Sequence, residues 1–320
     1  MTDAAQRPTT ALAALDTYSD RLSRAIDLEH VVDAALAGIG DLFPASKALL
    51  LVHEPELGKL VTLASHGYEA SGTGSEVALG EGVIGLAAAR QQTTRIANLQ
   101  RMLSYARSVH RTTGEAPDEI RLPGLPDARS QLAAPMVSRG VLIGVLAIES
   151  NVAIAYDELD ERVLTVAARL VAAAFDREQM ALSDHEPPIA ITSTDTVTAV
   201  APPAADHEAT GAPVVLRHYA VDGSTFLGDQ YVIKGVAGRL LWKVVSEQVA
   251  TGRTSFTNRE AKLDKTLELP EYRDNFESRL ILLKRRLEEH DAPIRIHSTG
   301  RGRFDVELGT VVTLEHVDAT

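Results

Sequence analysis

Cysteine is absent from all 320 residues. That excludes disulfides, a thiolate nucleophile, Cys-ligated zinc and any thioether-attached chromophore. Aromatic residues make up only 4% of the chain, while hydrophobic residues reach 45%, so its cores must be built from Ala, Val, Leu and Ile. Long apolar runs are also missing. The longest, Val141 to Ile148, falls far short of the roughly 20 residues that a membrane-spanning helix needs. The opening MTDAAQRPTTALAAL has no basic segment leading into an apolar one, as a secretory signal would. The expectation is a soluble, cytoplasmic protein with no membrane partner. Motifs for catalysis are lacking too: no glycine-rich loop runs into Lys-Ser/Thr, and neither His-Glu-x-x-His nor a nucleophile elbow occurs. No enzymatic activity, cofactor or metal is expected.

Excess positive charge is absent as well. The chain holds 32 basic and 44 acidic residues, a net charge of −12. The deficit lies entirely in residues 1–212, with 16 basic and 28 acidic residues, whereas residues 213–320 hold 16 of each. Within the latter, the window 273–303 holds 8 basic against 5 acidic residues. A locally basic stretch behind an acidic front half fits a nucleic-acid contact confined to one small face, which the acidic half could mask.

In chain order, residues 10–42 read as helical, with Leu12, Leu15, Leu22 and Ile26 on one face and Asp27 as an N-cap before Val32, Leu36 and Ile39. Lys47 to His53 and Leu60 to Ser65 have the composition and length of strands. The cluster Gly80-Glu81-Gly82-Val83-Ile84-Gly85 opens a short helix ending at Arg90. Residues 91–129 are polar and aperiodic, which marks a lid or binding loop. Gln131 to Val137 and Val141 to Glu149 flank Ser138-Arg139-Gly140 as a hairpin. Leu159, Val163, Val166, Leu170 and Ala174 then repeat at helical spacing behind Asp157.

The stretches GEGVIGLAAARQQTTRIANL, SQLAAPMVSRGVLIGVLAIES and AYDELDERVLTVAARLVAAAF together resemble a GAF domain across roughly residues 20–177. The resemblance implies an antiparallel sheet flanked by helices, used for small-molecule binding or dimerisation. Bilin attachment and the chemistry of the free-methionine-sulfoxide reductases of this family both need a Cys, and this chain has none. The NKFDE-type pattern of cyclic-nucleotide-binding members is absent. His66 and His110 are read as exposed side chains rather than haem ligands. For a small-molecule effector the candidate contacts are Tyr105, Arg107, His110 and Arg111 in the aperiodic loop.

Residues 183–212 are rich in Pro, Thr and Ala, with acidic but no basic residues, a composition that cannot bury enough apolar surface to fold. Thr192, Thr194, Thr196 and Thr198 alternate along this tether and are candidates for phosphorylation.

Beyond it, Val214 to Val221 and Thr225 to Leu227 surround the turn signal Asp222-Gly223. Gly235 to Thr251 reads as a helix with Val236, Leu240, Val244 and Val249 inward, and Phe256 to Glu260 as a strand entering a capped helix packed by Leu263 and Leu267. In Asn275 to Val306, Phe276, Leu280, Leu283 and Leu287 share one helical face, with Arg279, Lys284, Arg285 and Arg286 on or beside the other. A β-like run from Ile294 follows, then a turn with Arg301 and Arg303, then Phe304-Asp305-Val306. This order resembles the winged-helix effector domain of OmpR/PhoB-type response regulators over residues 214–308, without a receiver domain. Where that family usually has paired arginines in mid-helix, this chain has Ile281 and Leu282. That departure bears on the family's usual base contacts. Ser278 and Arg279 are the candidates to reach base edges and Lys284, Arg301 and Arg303 the candidates for phosphate, while Arg285 and Arg286 are DNA-contact candidates whose alternative is a salt bridge to Glu288 or Glu289.

The expectation is therefore an α+β chain: an N-terminal extension over 1–19, a GAF-like antiparallel sheet flanked by helices over 20–180, a disordered linker over 181–212, and a winged-helix domain over 213–320. The leading functional reading is a homodimeric regulator that binds double-stranded DNA under control of the GAF-like domain and a small-molecule effector. The alternative is a signalling adaptor whose two domains bind proteins such as a kinase or an RNA polymerase subunit.

Overall fold

The computed structural model describes residues 3–98, 120–125, 127–184, 213–269 and 275–318. From residue 185 onward the expected linker, with Thr192, Thr194, Thr196 and Thr198, lies outside the described residues, as does the loop segment 99–119 with Tyr105, Arg107, His110 and Arg111. The chain divides into two compact units. The first comprises Met1–Gln179 together with Pro270–Arg286, and the second comprises Met180–Leu269 and Leu287–Thr320.

The first unit is built on a six-stranded antiparallel sheet. Its strands are β1 (Lys47–Glu54), β2 (Lys59–His66), β3 (Glu76–Ala78), β4 (Thr94–Ile96), β5 (Ser130–Ser138) and β6 (Val141–Ser150), in the spatial order β3-β2-β1-β6-β5-β4. The helices are α1 (Asp3–Ser23), α2 (Leu28–Leu42), α3 (Gly82–Arg90) and α4 (Glu158–Asp184). The central strands read as unbroken apolar runs because both faces of the sheet are covered. Along β1, Leu50 and Val52 join the core that holds Val31, Ile39, Leu164 and Phe175, whereas Leu49 and Leu51 join the opposite core with Val83, Ile84 and Ala87 of α3. The alternation is the two-residue period of a pleated strand.

Local signals have their expected consequences. Asp27 caps α2 by accepting from the His30 amide at 2.8 Å. Asp157 Oδ1 accepts from the amides of Leu159 and Asp160 at the start of α4. The β5–β6 turn places both Arg139 (φ 52°) and Gly140 (φ 76°) in the left-handed region, the backbone of a two-residue hairpin whose twist matches its strands. Other expectations shift. Helix α1 is continuous across residue 20, burying Tyr18 and Leu22, while Ile26 is exposed because it follows the helix end and no longer shares its phase. The aperiodic 91–129 stretch contributes the edge strand β4, too short to show a period. Gly38 on α2 sits where a Cβ would fall 2.2 Å from the Tyr18 ring, so its bareness is what lets α1 close on α2.

In the second unit, β7 (Val214–Tyr219), β8 (Thr225–Leu227) and β9 (Gln230–Ile233) form an antiparallel meander, followed by α5 (Gly235–Thr251), β10 (Ser255–Thr257), α6 (Asn258–Leu263) and a 3-10 turn at Lys265–Leu267. Helix α7 (Phe276–Glu289) begins in the first unit, and its residues from Leu287 belong to the second. Strands β11 (Ile294–Gly300) and β12 (Arg303–Leu308) form a hairpin on which β10 pairs, Phe256 stacking on Phe304 at 5.7 Å. A complete capping box joins Thr257 and Glu260 at the start of α6. Two expected inward residues are exposed, Val249 and Leu263, because each falls in the last turn of its helix where partner surface ends.

The last strand, β13 (Val312–Val317), was not anticipated. It pairs in parallel with β7, matching His316 to His218 and completing the order β13-β7-β8-β9. His218 is only 4% exposed; its Nδ1 meets Thr225 Oγ1 at 3.0 Å and its ring stacks on Trp242 and His316. No described helix is long and apolar enough to cross a membrane.

Burial first, then the neighbouring His316 and Arg239, push the His218 pKa down to about 4, with Asp222 opposing. A histidine held neutral when folded but free to protonate when unfolded loses folding free energy as pH falls from its unfolded value near 6.5 to about 4. Trp242 is the chain's sole tryptophan and touches this ring. Its fluorescence should report a urea midpoint that drops across that pH window, with a smaller drop in His218→Phe.

Candidate functional site

Helix α7 carries most of the residues singled out for nucleic-acid contact. Its sequence, FESRLILLKRRLEE, is apolar on one face through Phe276, Leu280, Leu283 and Leu287, all buried. Its basic side is buried too. Ser278, Arg279, Lys284 and Arg286 are 3%, 6%, 9% and 8% exposed, and Arg285 is half-buried. The reason is the apolar pair Ile281-Leu282 between the basic residues. Ile281 enters the core cluster of the first unit and Leu282 packs against it, and a helix with apolar groups on both sides gains by covering both.

Charges drawn in with those leucine and isoleucine side chains need partners, and acidic residues of the first unit supply them. Arg279 donates to Glu54 Oε2 through Nε at 3.2 Å and through Nη2, with Glu56 lying 3.9 Å away. Lys284 Nζ pairs with Glu29 on α2, and Arg285 Nη2 meets Asp33 Oδ1 at 2.5 Å one turn further along the same helix. Asn275 Nδ2 donates to the His53 carbonyl at 2.8 Å. Arg286 and Leu282 lie beside Gly74, in the segment joining β2 to β3. Glu54 is buried at the end of β1, and that burial raises its pKa against the opposing pull of Arg279. Desolvation thus outweighs pairing at the carboxylate. Arg279 Nη1 is also buried without a hydrogen-bond partner among the described residues, a further cost to the contact.

Arg301 and Arg303 belong to the second unit. They occupy the β11–β12 turn and are exposed. The site residues proposed from sequence thus fall into two groups, a helical group that is buried and paired, and a hairpin group at the surface.

A second feature carried no sequence signal. Glu149, at the end of the apolar strand β6, is 4% exposed and accepts from the Leu125 amide at 2.6 Å. Burial raises its pKa, with the Leu125 amide opposing. The Tyr68 hydroxyl is buried, and its pKa is pushed up by burial and then by the Glu149 charge. The carboxylate anchors the aperiodic stretch at Leu125, within its described segment 120–125. His66 is exposed at the end of β2. No cluster able to hold a metal occurs among the described residues.

The first unit is thus a mixed α+β fold, a curled antiparallel sheet with helices on both faces. The family model described as GAF domain matches residues 25–176, and that part of the chain is a GAF domain. Among solved structures, the chain is similar to the GAF domain from a phosphoenolpyruvate-protein phosphotransferase of Coxiella burnetii, at 20% identity over 55% of this chain and 98% of that one, with a TM-score of 0.43. It is also similar to the free methionine-R-sulfoxide reductase from Neisseria meningitidis in complex with its substrate, at 20% identity over 55% and 93%, TM-score 0.44. A third similar structure is the GAF domain from an Acinetobacter phosphoenolpyruvate-protein phosphotransferase, at 16% identity over 56% and 97%, TM-score 0.43. No curated protein matches the chain.

Removing one member of a buried ion pair strands the other, at a typical cost of about 3 kcal/mol, whereas replacing both by apolar groups is often near neutral. Glu54→Leu and Arg279→Met should each lower the stability of the full chain by about that amount. The double variant should return to within about 1 kcal/mol of the parent, as measured by urea denaturation.

Proposed function

We propose that this chain is a DNA-binding regulator in which the GAF domain controls a C-terminal winged helix. The observation that supports this reading is the run of elements from β7 to β12. A meander, a helix, a short strand and a capped helix lead to a basic helix, and that helix leads directly to a hairpin with two exposed arginines at its turn. In such a unit the helix reads the major groove through Ser278 and Arg279, while the hairpin arginines hold phosphate or the minor groove. The GAF domain acts as the sensing or dimerising part, with a small-molecule effector bound near the loop that Glu149 anchors. The working form is a cytoplasmic homodimer on a paired half-site, without catalytic activity.

A second reading is favoured by one specific observation. Ile281 and Leu282 stand in the middle of α7, and both pack into an apolar cluster. A helix with apolar mid-positions suits a protein partner, such as a kinase or a polymerase subunit, better than a groove lined with phosphates.

The test is binding of the full chain to DNA enriched from a random pool, measured by fluorescence anisotropy across a salt series. Affinity should fall steeply with salt, with a log–log slope reflecting on the order of four to six neutralised phosphates. The double variant Arg301→Ala/Arg303→Ala should weaken binding about tenfold and shallow the slope by up to about two. A flat salt response with no selected sequence would turn the case to the protein-binding reading.

A further inference from the structure

We infer that the GAF domain holds α7 in a DNA-silent state, with Glu29, Asp33 and Glu54 occupying the basic side chains that phosphate would otherwise take. This inference rests on the DNA-binding reading and names the regulation of that same site.

The argument starts from mutual exclusion. Arg279, Lys284 and Arg286 are each less than a tenth exposed, so none can reach a phosphate or a base edge while the helix stays in place. Three of the basic residues are matched by three carboxylates, Arg279 by Glu54, Lys284 by Glu29 and Arg285 by Asp33. Carboxylates in those positions offer what a phosphate backbone offers, anionic oxygens at hydrogen-bond distance. The apolar pair Ile281-Leu282 supplies the rest of the hold, Ile281 entering the core cluster of the first unit and Leu282 packing against it.

The hold is also of a strength that can be reversed. Glu54 pays a desolvation cost that Arg279 only partly offsets, and Arg279 Nη1 and Arg285 Nε are buried with no hydrogen-bond partner among the described residues. Charged contacts of this kind sharpen orientation more than they add net stability. A two-state helix follows, docked or released, and DNA binds the released state alone. Apparent affinity is then the intrinsic affinity reduced by the released fraction. An effector that disturbs the GAF sheet near Glu54 or helix α2 near Glu29 and Asp33 shifts that fraction.

The experiment compares the full chain with two full-length variants, Glu54→Gln, which removes the buried carboxylate, and Glu29→Lys, which repels Lys284 from a half-exposed position and leaves the core untouched. Two readouts are taken on each: hydrogen–deuterium exchange of the amides in 276–286, and affinity for the DNA enriched above. Circular dichroism confirms folding, and the milder Glu29→Lys keeps the test alive should Glu54→Gln fail to fold. The expected result is exchange in 276–286 at least about tenfold faster, together with DNA binding at least about tenfold tighter. Unchanged exchange overturns the inference, because the ion pairs then do not hold the helix. Faster exchange with unchanged, salt-sensitive DNA affinity also overturns it, while leaving the DNA-binding reading intact. Faster exchange with no DNA binding by any form overturns the DNA-binding reading and the masking inference with it, leaving only the docked helix.

Discussion

A guanidinium that leaves water must find an anion, and in this chain Arg279 finds Glu54. Both side chains are about 7% exposed, and neither could be buried alone without a penalty of several kcal/mol. The pair is therefore less a source of stability than a condition. Helix α7 can bury Ile281 and Leu282 in the GAF core only if its intervening charges are met there. The acidic excess of residues 1–212, which as a bulk figure says little, has a local use at Glu29, Asp33 and Glu54.

The same rule orders the rest of the GAF domain. Its sheet is covered on both faces, so polar groups within it are few and each has a task. Glu149 anchors the described part of the loop through the Leu125 amide, and Tyr156 donates to Ser46. With so few aromatics, α1 closes on α2 over the bare Gly38 under Tyr18, and α4 gives the core the small side chains of Ala167, Ala168 and Ala172. Tight approach compensates for small side chains, because dispersion depends on contact distance.

The second unit solves a different problem. A short meander ends in exposed edges, and β13 covers one of them by pairing along the whole of β7. This brings His316 over His218 and Trp242, so that a neutral, stacked imidazole becomes part of the packing. The low pKa of His218 thus has a tertiary cause, burial first and then the neighbouring His316 that β13 brings alongside.

Where the chain turns and where helices start was legible residue by residue. The Asp27 cap, the Arg139-Gly140 turn, the capping box at Thr257 and Glu260, and the Gly252 end of α5 all rest on interactions within about four residues, and such interactions are written locally. The resemblance to GAF domains was legible for the same reason, through a glycine cluster, a hairpin and a closing helix in order. Tertiary structure decided the rest. Arg279 and Glu54 stand 225 residues apart, and an arginine beside a leucine reads the same whether solvent or a carboxylate will face it. The burial of Glu149, the parallel pairing of β13 and the docking of Ile281 are likewise choices of partner. Amphipathic periodicity says that a face will be covered, but it carries no record of what covers it.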